Sequence, residues 1–253
     1  SNMGRETFVV PVSWERDMHP RKGKILWPVV APKTGRVERV NPVIFDGGTP
    51  AKNRAFRDDF KHSTLNLAWN FVRVPLPNTY GLDENPGHLR LFTHKNTISR
   101  RKRAHFMGIK QTESDCVFTT KMRFNPSHDE STAGIAIVQK DENYVSFSVR
   151  KEADGMLVEV LHNKKKVQTI KAHKLNSYKG EIRFKLVSAN DTYTFSYATK
   201  GKRYKVLTTT PADLLLFSGF TGAHIGLYAT SNGQDNNDFS DYDWINYIPK
   251  PRK

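Results

Sequence analysis

Carboxyl groups are the first side chains to consider for catalysis, because two of them facing each other across a cleft can serve as general acid and general base. The acidic residues that fall in predicted turns or beside basic neighbours are Glu6, Glu15, Asp83, Glu84, Asp129 and Glu130. Nothing in the sequence pairs two of them across a cleft. Solvated surface positions are therefore the expected role of these six carboxyl groups.

Four aspartates, from two distant parts of the chain, could supply oxygen ligands to calcium if the first and last strands are neighbours. They are Asp58, Asp59, Asp241 and Asp243, and the last two follow the turn-like run Asp235–Asp238. The ordered spacing of a dedicated calcium loop is missing, and Asn and Asp are common in ordinary turns. No cofactor is therefore predicted, and calcium is the alternative.

Aromatic rings that reach the surface can stack on sugar rings, and three residues are candidates for this role: Trp69, Phe71 and Tyr80. Trp69 and Phe71 share one face of a predicted strand, as core residues also do, so a place in the core is the competing interpretation. A fourth aromatic, Phe220, precedes an alternating run in the stretch 217–228. Phe220 either plugs the edge of the core or stands at an open loop.

The cysteine and histidine content predicts no metal centre. Cys116 is the one cysteine among 253 residues, which excludes an internal disulfide and a cysteine zinc site. Because Cys116 opens an alternating run, it is expected to be an inert thiol in the core. The histidines are scattered without metal-ligand spacing, as His88, His94, His105 and His128 illustrate.

The formal net charge of +15 would fit an anionic partner such as nucleic acid if the basic residues formed a patch. The two basic runs are 100–103 and 164–166. We expect the first on a strand or its edge and the second in a hairpin turn, where solvated charge explains it. No nucleic-acid-binding motif accompanies them, so binding of nucleic acid is a minor hypothesis.

The length and composition suit one large domain, or a domain with an appendage, because 37% of the residues are apolar. No run approaches the roughly 20 consecutive apolar residues of a membrane span. No basic, apolar and small-residue series opens the chain as a signal peptide would. A soluble protein with no membrane partner is therefore expected, and its compartment stays open.

From Phe56 onward, short alternating segments separated by polar turns predict an all-β fold. Residues 116–124 alternate between apolar and polar, and Asp154-Gly155 supplies a hairpin turn. The one helical signal is a single turn at Pro211 to Leu216. Many short strands with turns between them indicate an antiparallel β-sandwich.

The opening segment differs from the rest. Thr7–Trp14 and Ile25–Val30 read as two strands, which cannot bury a core alone. Turn residues at Asp46–Pro50 place a boundary near residue 50, so the predicted units are residues 1–50 and 51–253. An unpaired strand edge in the first unit would favour self-association, and a homo-oligomer is one outcome.

Several motifs in series resemble the C-terminal concanavalin A-like β-sandwich of glycoside hydrolase family 43, in its β-xylosidase branch. The resemblance covers nearly all of residues 56–248 and rests on six motifs, which are Asp58–Phe60, Leu67–Arg73, Pro86–Leu91, Asp191–Tyr197, Gly219–Gly222 and Asp241–Trp244. Two further stretches, Gly4–Trp14 and Trp27–Val30, resemble the last strands of that family's five-bladed catalytic propeller. The resemblance implies a jelly-roll sandwich preceded by the tail of a propeller.

The same resemblance assigns two residues to a sugar pocket. Arg5 matches an arginine that reaches the sugar, where a planar guanidinium fits paired hydroxyls. Phe220 matches an aromatic that leaves the sandwich and closes one wall of the propeller's pocket, where an apolar surface excludes water. The family's catalytic Asp, second Asp and Glu lie upstream of the propeller tail, so none of them is in this sequence.

The function implied is that of an accessory sandwich in a β-xylosidase-like or α-L-arabinofuranosidase-like hydrolase. It would brace the catalytic propeller and complete its sugar pocket, with xylan or arabinoxylan oligosaccharides as ligands. Hydrolysis by this chain alone is not expected, because an inverting glycosidase needs two carboxyls about 6.5–9.5 Å apart. The alternative is an independent, lectin-like carbohydrate-binding module.

Overall fold

The fold is described from a computed structural model, which covers residues 2–5, 7–19, 21–38, 54–216 and 220–250. The chain forms two compact units, one of residues 1–5 and 53–253 and the other of residues 6–52. The sequence-based division placed residues 2–5 with the opening segment, whereas in the structure they pack with the larger unit. Within the described ranges, no helix has the length and apolar character needed to cross a membrane.

The smaller unit contains one antiparallel hairpin, formed by β1 (Val12–His19) and β2 (Gly23–Val30). The first strand therefore begins later and runs further than the Thr7–Trp14 strand expected from alternation. Many large apolar side chains of this hairpin are exposed, among them Trp14, Met18 and Leu26. A two-stranded ribbon has no interior in which to bury them.

The larger unit is made of fifteen described strands and two short 3₁₀ turns. The turns are Ser99–Arg101 and Ala212–Leu215. The strands are β3 (Phe56–Asp58), β4 (Asn70–Phe71), β5 (Tyr80–Gly81), β6 (Leu89–Phe92), β7 (His105–Lys110), β8 (Asp115–Phe124), β9 (Thr132–Lys140), β10 (Asn143–Glu152), β11 (Gly155–Lys164), β12 (Lys166–Lys174), β13 (Glu181–Ala189), β14 (Thr192–Ala198), β15 (Lys205–Pro211), β16 (His224–Thr230) and β17 (Phe239–Lys250).

Two antiparallel sheets form the predicted sandwich. The seven-stranded sheet has the order β12-β11-β10-β9-β16-β7-β4, and the eight-stranded sheet has the order β15-β14-β13-β8-β17-β6-β5. β3 adds to β17 outside that path. The chain crosses repeatedly between the two sheets, so segments far apart in sequence become neighbours, and the all-β prediction is confirmed.

The core lies between the sheets and follows the period of two that the sequence displays. In β8, alternate residues such as Cys116, Phe118 and Met122 are fully buried, and Phe147 and Phe184 meet edge to face from opposite sheets with ring centroids 4.8 Å apart. Burial raises the pKa of the Cys116 thiol to about 12, which keeps it protonated and unreactive as expected.

Local predictions near the turns had mixed outcomes. Lys165, with φ of 72°, forms the predicted turn between β11 and β12, and the 3₁₀ turn at residues 212–215 matches the single helical turn expected there. The basic run 100–103 is not on a strand, because it enters the 3₁₀ turn Ser99–Arg101 and the loop that leads to β7. β4 is only two residues long, so Trp69 precedes the strand that was predicted to hold it.

Candidate functional site

The candidate site is built on the loop that precedes β16 and is held by the first residues of the chain. The Ala223 N–H donates to the Asn2 carbonyl at 2.6 Å, and Gly4 forms an isolated antiparallel bridge with Thr221. Residues 2–4 therefore run antiparallel to residues 221–223, and the two segments form a short strand pair. Phe217–Gly219, which belong to the stretch singled out in the sequence, lie outside the described residues.

Two glycines allow this close approach. A Cβ atom at Gly222 would overlap the Met3 carbonyl, and one at Gly4 would lie 2.7 Å from the Gly222 nitrogen. Gly4 also has φ of +96°, a region that strongly favours glycine. The sequence motif thus carries glycine at 222 because the backbone of residues 2–4 occupies the space of a side chain.

Asn2 anchors the strand pair to the core. Its Nδ2 donates to the Tyr193 hydroxyl and to the Ala212 carbonyl, each at 2.9 Å. The Tyr193 hydroxyl in turn donates to Gln111 Oε1 at 3.0 Å, and the Gln111 N–H donates to the Ala223 carbonyl at 2.9 Å. Burial raises the pKa of Tyr193, so its hydroxyl stays neutral and able to donate.

The two residues assigned to a sugar pocket by resemblance lie against each other. Phe220 is 71% exposed, and the Arg5 guanidinium carbon lies 3.7 Å from the centroid of its ring. Such a pair is a cation–π contact. Because most of the Phe220 ring is exposed, the interpretation that it fills the edge of the core is wrong. The ring instead stands on an open loop, which was the alternative.

A cavity of about 310 Å³ adjoins this loop and is lined in part by Thr221, His224 and Asp141. The Thr221 hydroxyl donates to the Gln139 carbonyl at 3.3 Å. Burial lowers the pKa of His224, which favours its neutral form. The loop therefore combines an exposed aromatic, a guanidinium and a polar recess within a few residues.

One wall of that cavity is held by a bidentate ion pair. Arg73 donates to both carboxylate oxygens of Asp141, at 3.2 and 2.6 Å. The hydrogen bond to Asp141 raises the pKa of Arg73. A fork of two parallel bonds fixes orientation as well as charge, so this wall is preorganised.

Of the three candidate stacking residues, Trp69 is part of the buried core, and Phe71 and Tyr80 pack against that core. Trp69 is only 6% exposed, its ring contacts Phe56 and Phe60, and its indole N–H donates to Asp58 at 2.9 Å. Trp69 is therefore a core residue, which was the competing interpretation. Its ring has no exposed face on which a sugar could stack. Phe71 and Tyr80 are half-buried and stack on each other with centroids 5.7 Å apart.

The four aspartates considered for calcium have separate partners. Asp58 accepts from Trp69, Asp59 pairs with Lys61 at 3.0 Å, and Asp243 pairs with Lys121 at 3.1 Å. Asp241 accepts two hydrogen bonds from Arg90, at 2.8 and 2.9 Å. In the part of the chain that the structure describes, no group of three or more His, Cys, Asp or Glu side chains could hold a metal ion.

The acidic residues considered for catalysis are paired at or near the surface where the structure shows partners. Asp129 pairs with Lys151 at 3.3 Å and Glu130 with Arg150 at 2.8 Å. Glu6 lies outside the described residues. A carboxyl that the sequence did not single out, Glu159, is almost fully buried, and burial raises its pKa while Arg150 donates to it at 3.1 Å.

Comparison with known proteins places these features in a family context. The family model of the β-xylosidase C-terminal concanavalin A-like domain matches residues 57–248. A non-reducing-end α-L-arabinofuranosidase of Bacteroides ovatus is 29% identical over 250 residues, which cover 97% of this chain and 45% of that protein. A xylosidase/arabinosidase of Butyrivibrio fibrisolvens is 28% identical over 251 residues, which cover 96% of this chain and 46% of that protein.

The fold has solved counterparts as well. The family 43 protein B of the Bacteroides ovatus xyloglucan PUL superposes with a TM-score of 0.79 and 28% identity, covering 98% of this chain and 48% of that one. The chain thus spans slightly less than half the length of these relatives.

Proposed function

Because the chain belongs to the family of concanavalin A-like domains from the C-terminal part of β-xylosidases, we propose that it braces a family 43 catalytic propeller and completes its sugar pocket. The activity of the assembled hydrolase would be that of a β-xylosidase or an α-L-arabinofuranosidase. Its ligands would be xylan or arabinoxylan oligosaccharides.

The observation that carries this proposal is the contact between Arg5 and Phe220 on an open loop. A ring that is 71% exposed has a large apolar surface to cover, and the guanidinium 3.7 Å from its centroid keeps donors free at its edge. Together they would form a wall that excludes water on one side and binds sugar hydroxyls on the other. The proton transfers of hydrolysis would belong to carboxyl groups of the propeller.

The exposed apolar side chains of the β1–β2 hairpin support the bracing role. Trp14 and Met18 are each 66% exposed, and Leu26 is 58% exposed. Exposed apolar surface of this extent marks an interaction site more often than a solvated face. The partner proposed for it is the catalytic propeller, whose last strands this hairpin resembles.

The test is a hydrolase in which this chain is joined to a family 43 catalytic propeller. Phe220→Ala should lower kcat/KM on a chromogenic β-xyloside or α-L-arabinofuranoside by roughly tenfold or more, the loss expected if this exposed ring becomes buried against the sugar in the joined enzyme. Val206→Ala, which truncates an exposed apolar residue of β15, is the matched control and should leave kcat/KM unchanged.

Two results would overturn the proposal. One is an unchanged kcat/KM for Phe220→Ala in the joined enzyme. The other is turnover of either chromogenic substrate by this chain alone that survives repurification, because the acid and base would then have to lie within it.

An independent carbohydrate-binding module is the second candidate function. The observation that favours it is a separate cleft beside Tyr80, which shares none of its lining residues with the cavity at Thr221. Binding of xylo-oligosaccharides by the chain without any propeller would support this function, and association with a propeller in the absence of such binding would support the first.

A further inference from the structure

The outer side of the eight-stranded sheet carries a cluster of basic residues that lies outside both basic runs of the sequence. In β13, fully buried residues alternate with half-buried ones, and Arg183 and Lys185 are on the half-buried side, which faces away from the core. The turn that joins β14 to β15 adds Lys200, Lys202 and Arg203, all exposed. These five residues are called the basic face below.

The pairing of β13 with β14 brings the two parts of the basic face together. Arg183 is opposite Ala198, the last residue of β14, so the turn begins beside it. The Lys185 Nζ lies 5.6 Å from the ring centroid of Tyr204, the last residue before β15. Burial raises the pKa of Tyr204, and the nearby charge of Arg183 acts against that rise. Tyr204 therefore lies next to both cations of β13.

The charges of the basic face are not balanced by the protein. Lys121, which is opposite Arg183 on β8, pairs with Glu181 at 3.2 Å and with Asp243 at 3.1 Å. Among the described residues, no cation of the basic face has a carboxylate partner of this kind. Cations close together without counter-charges create a positive potential, which attracts anions.

Uncharged polar groups lie beside the cations on the same side of the sheet. Lys185 is opposite Thr119 on β8, and Thr119 is opposite Asn246 on β17. On the other flank, the hydroxyls of Thr194 and Thr209 are 3.1 Å apart. All four polar residues are at least partly exposed. The surface therefore offers hydroxyl and amide groups next to its positive charges.

We propose that the basic face binds an acidic polysaccharide, a sugar chain that carries uronate carboxylates. The planar guanidinium of Arg183 would hold one carboxylate through two parallel hydrogen bonds. Lys185 and the cations of the turn would pair with other carboxylates, and the neighbouring threonines and Asn246 would bond to sugar hydroxyls. The four strands from β8 to β15 span about 14 Å at the usual strand spacing, which accommodates more than one sugar ring.

Nucleic acid matches this surface less well. Proteins bind single strands by stacking successive bases on aromatic side chains, whereas the outward residues of β8, β13 and β14 are aliphatic, polar or charged. The ring of Tyr204 is half-buried and has Lys185 near it. A duplex is read by a helix or a narrow ribbon that enters a groove, which a broad sheet face does not do.

The experiment is a calorimetric titration of the 253-residue chain with polygalacturonate in calcium-free buffer. Its methyl ester, which has the same backbone without the charges, is the matched ligand control. Saturable binding to polygalacturonate is expected, with at least tenfold weaker binding to the ester. Raising NaCl from about 50 to 300 mM should weaken binding severalfold, because salt screens exposed charges. In NMR spectra, the amide resonances of residues 183–185 and 200–204 should shift.

Two double variants locate the binding on the basic face. Arg183→Gln with Lys185→Gln removes the cations of β13, and Lys202→Gln with Arg203→Gln removes two cations at exposed turn positions, where folding is not at risk. Each pair should weaken binding by about tenfold, which corresponds to about 1.4 kcal/mol. Lys164→Gln with Lys166→Gln, at the exposed turn between β11 and β12, removes the same charge elsewhere and should bind as the parent does.

Three outcomes would overturn the proposal. The first is equal binding of polygalacturonate and its methyl ester, and the second is an equal loss in all three double variants, since net charge alone would then explain the binding. The third is tighter binding of an oligothymidylate that the face variants abolish, which would assign the surface to nucleic acid. The basic face needs no group from a propeller, so these results are independent of the role proposed for Phe220.

Discussion

The Arg5 guanidinium carbon lies 3.7 Å above the ring centroid of Phe220, which joins the beginning of the chain to a loop 215 residues away. The contact closes the short strand pair of residues 2–4 with residues 221–223. Resemblance assigned each residue to a sugar pocket on its own. Their contact makes them one surface, so a change in either should affect the other's position.

Arg5 should contribute to ligand binding more than to the chemical step. In the joined enzyme, Arg5→Met should raise KM by roughly tenfold, because a charged hydrogen-bond donor to the sugar is lost. Arg5→Lys should lie in between, since it keeps the charge but not the planar fork. Steady-state kinetics separate the two parameters. A fall in kcat with unchanged KM would contradict the binding role.

Gly222→Ala should separate the first residues from the loop. The added methyl group would overlap the Met3 carbonyl, so the strand pair must open or shift. We expect a loss of about 1–3 kcal/mol in the free energy of unfolding, as for overpacking elsewhere. Urea denaturation measures it, and amide hydrogen exchange at Ala223 should accelerate. Val206→Ala, at an exposed position of β15, should change stability by no more than about 0.5 kcal/mol.

The sandwich was predictable because its signal is local. Alternation over residues 116–124 and turn residues such as Asp154-Gly155 are visible without any long-range information. The anchor of the site was not predictable in this way, because Asn2 and Tyr193 are 191 residues apart and the hydrogen bond between them leaves no periodic trace. Trp69 shows the same limit. Its burial goes with a hydrogen bond to Asp58, a partner that its position in a short apolar run does not predict.

The stacking of His94 on His105 could not be predicted from the sequence either. Metal-ligand spacing was the property considered for the histidines, and His94 and His105 are separated by a loop of ten residues that spacing rules do not read. Only the pairing of the two sheets brings these rings to 4.7 Å from each other. Contacts between side chains of the two sheets therefore depend on the strand order, and the alternation of apolar and polar residues does not predict that order.

Calcium should have little effect on the stability of the chain. Asp58, Asp59, Asp241 and Asp243 are engaged by separate donors, with Asp241 held by both Arg90 and Asn85. Millimolar calcium, or its removal with a chelator, should move Tm by less than about 1 °C. A specific site saturated at a hundredfold excess would stabilise the fold by about 2.7 kcal/mol, which is several degrees in a chain of this size. A calcium-dependent rise of that extent would contradict the assignment of these carboxylates.

Asp238 should make the fold less stable in acid. This carboxylate is only 7% exposed and accepts from the Ser127 N–H at 2.8 Å, the His128 N–H at 3.0 Å and the Ser131 hydroxyl at 2.7 Å. Burial by itself raises the pKa of Asp238, but these hydrogen bonds outweigh it, and the pKa is lowered overall. The ionised form is therefore favoured in the folded chain.

The direction of the pH effect follows from that shift. The stabilisation is complete above the unfolded-state pKa of about 3.9 and is lost as the pH falls through the lower pKa of the folded state. At pH 6, Asp238→Asn should cost about 1.5–3 kcal/mol in the free energy of unfolding, the value typical of hydrogen bonds to a charged group. Its stability should then fall less than the parent's between pH 5 and pH 3, as measured by urea denaturation.

Glu159 provides the matched comparison for Asp238. Burial raises the pKa of Glu159, so its contribution to stability changes with pH in the opposite direction. A group of this kind stabilises the folded state fully below its unfolded-state pKa and loses that contribution as the pH rises through its raised folded-state pKa. Glu159→Gln should therefore steepen the acid loss of stability where Asp238→Asn flattens it. If the pH profiles of both variants run parallel to that of the parent, neither carboxyl is responsible for the acid response of the fold.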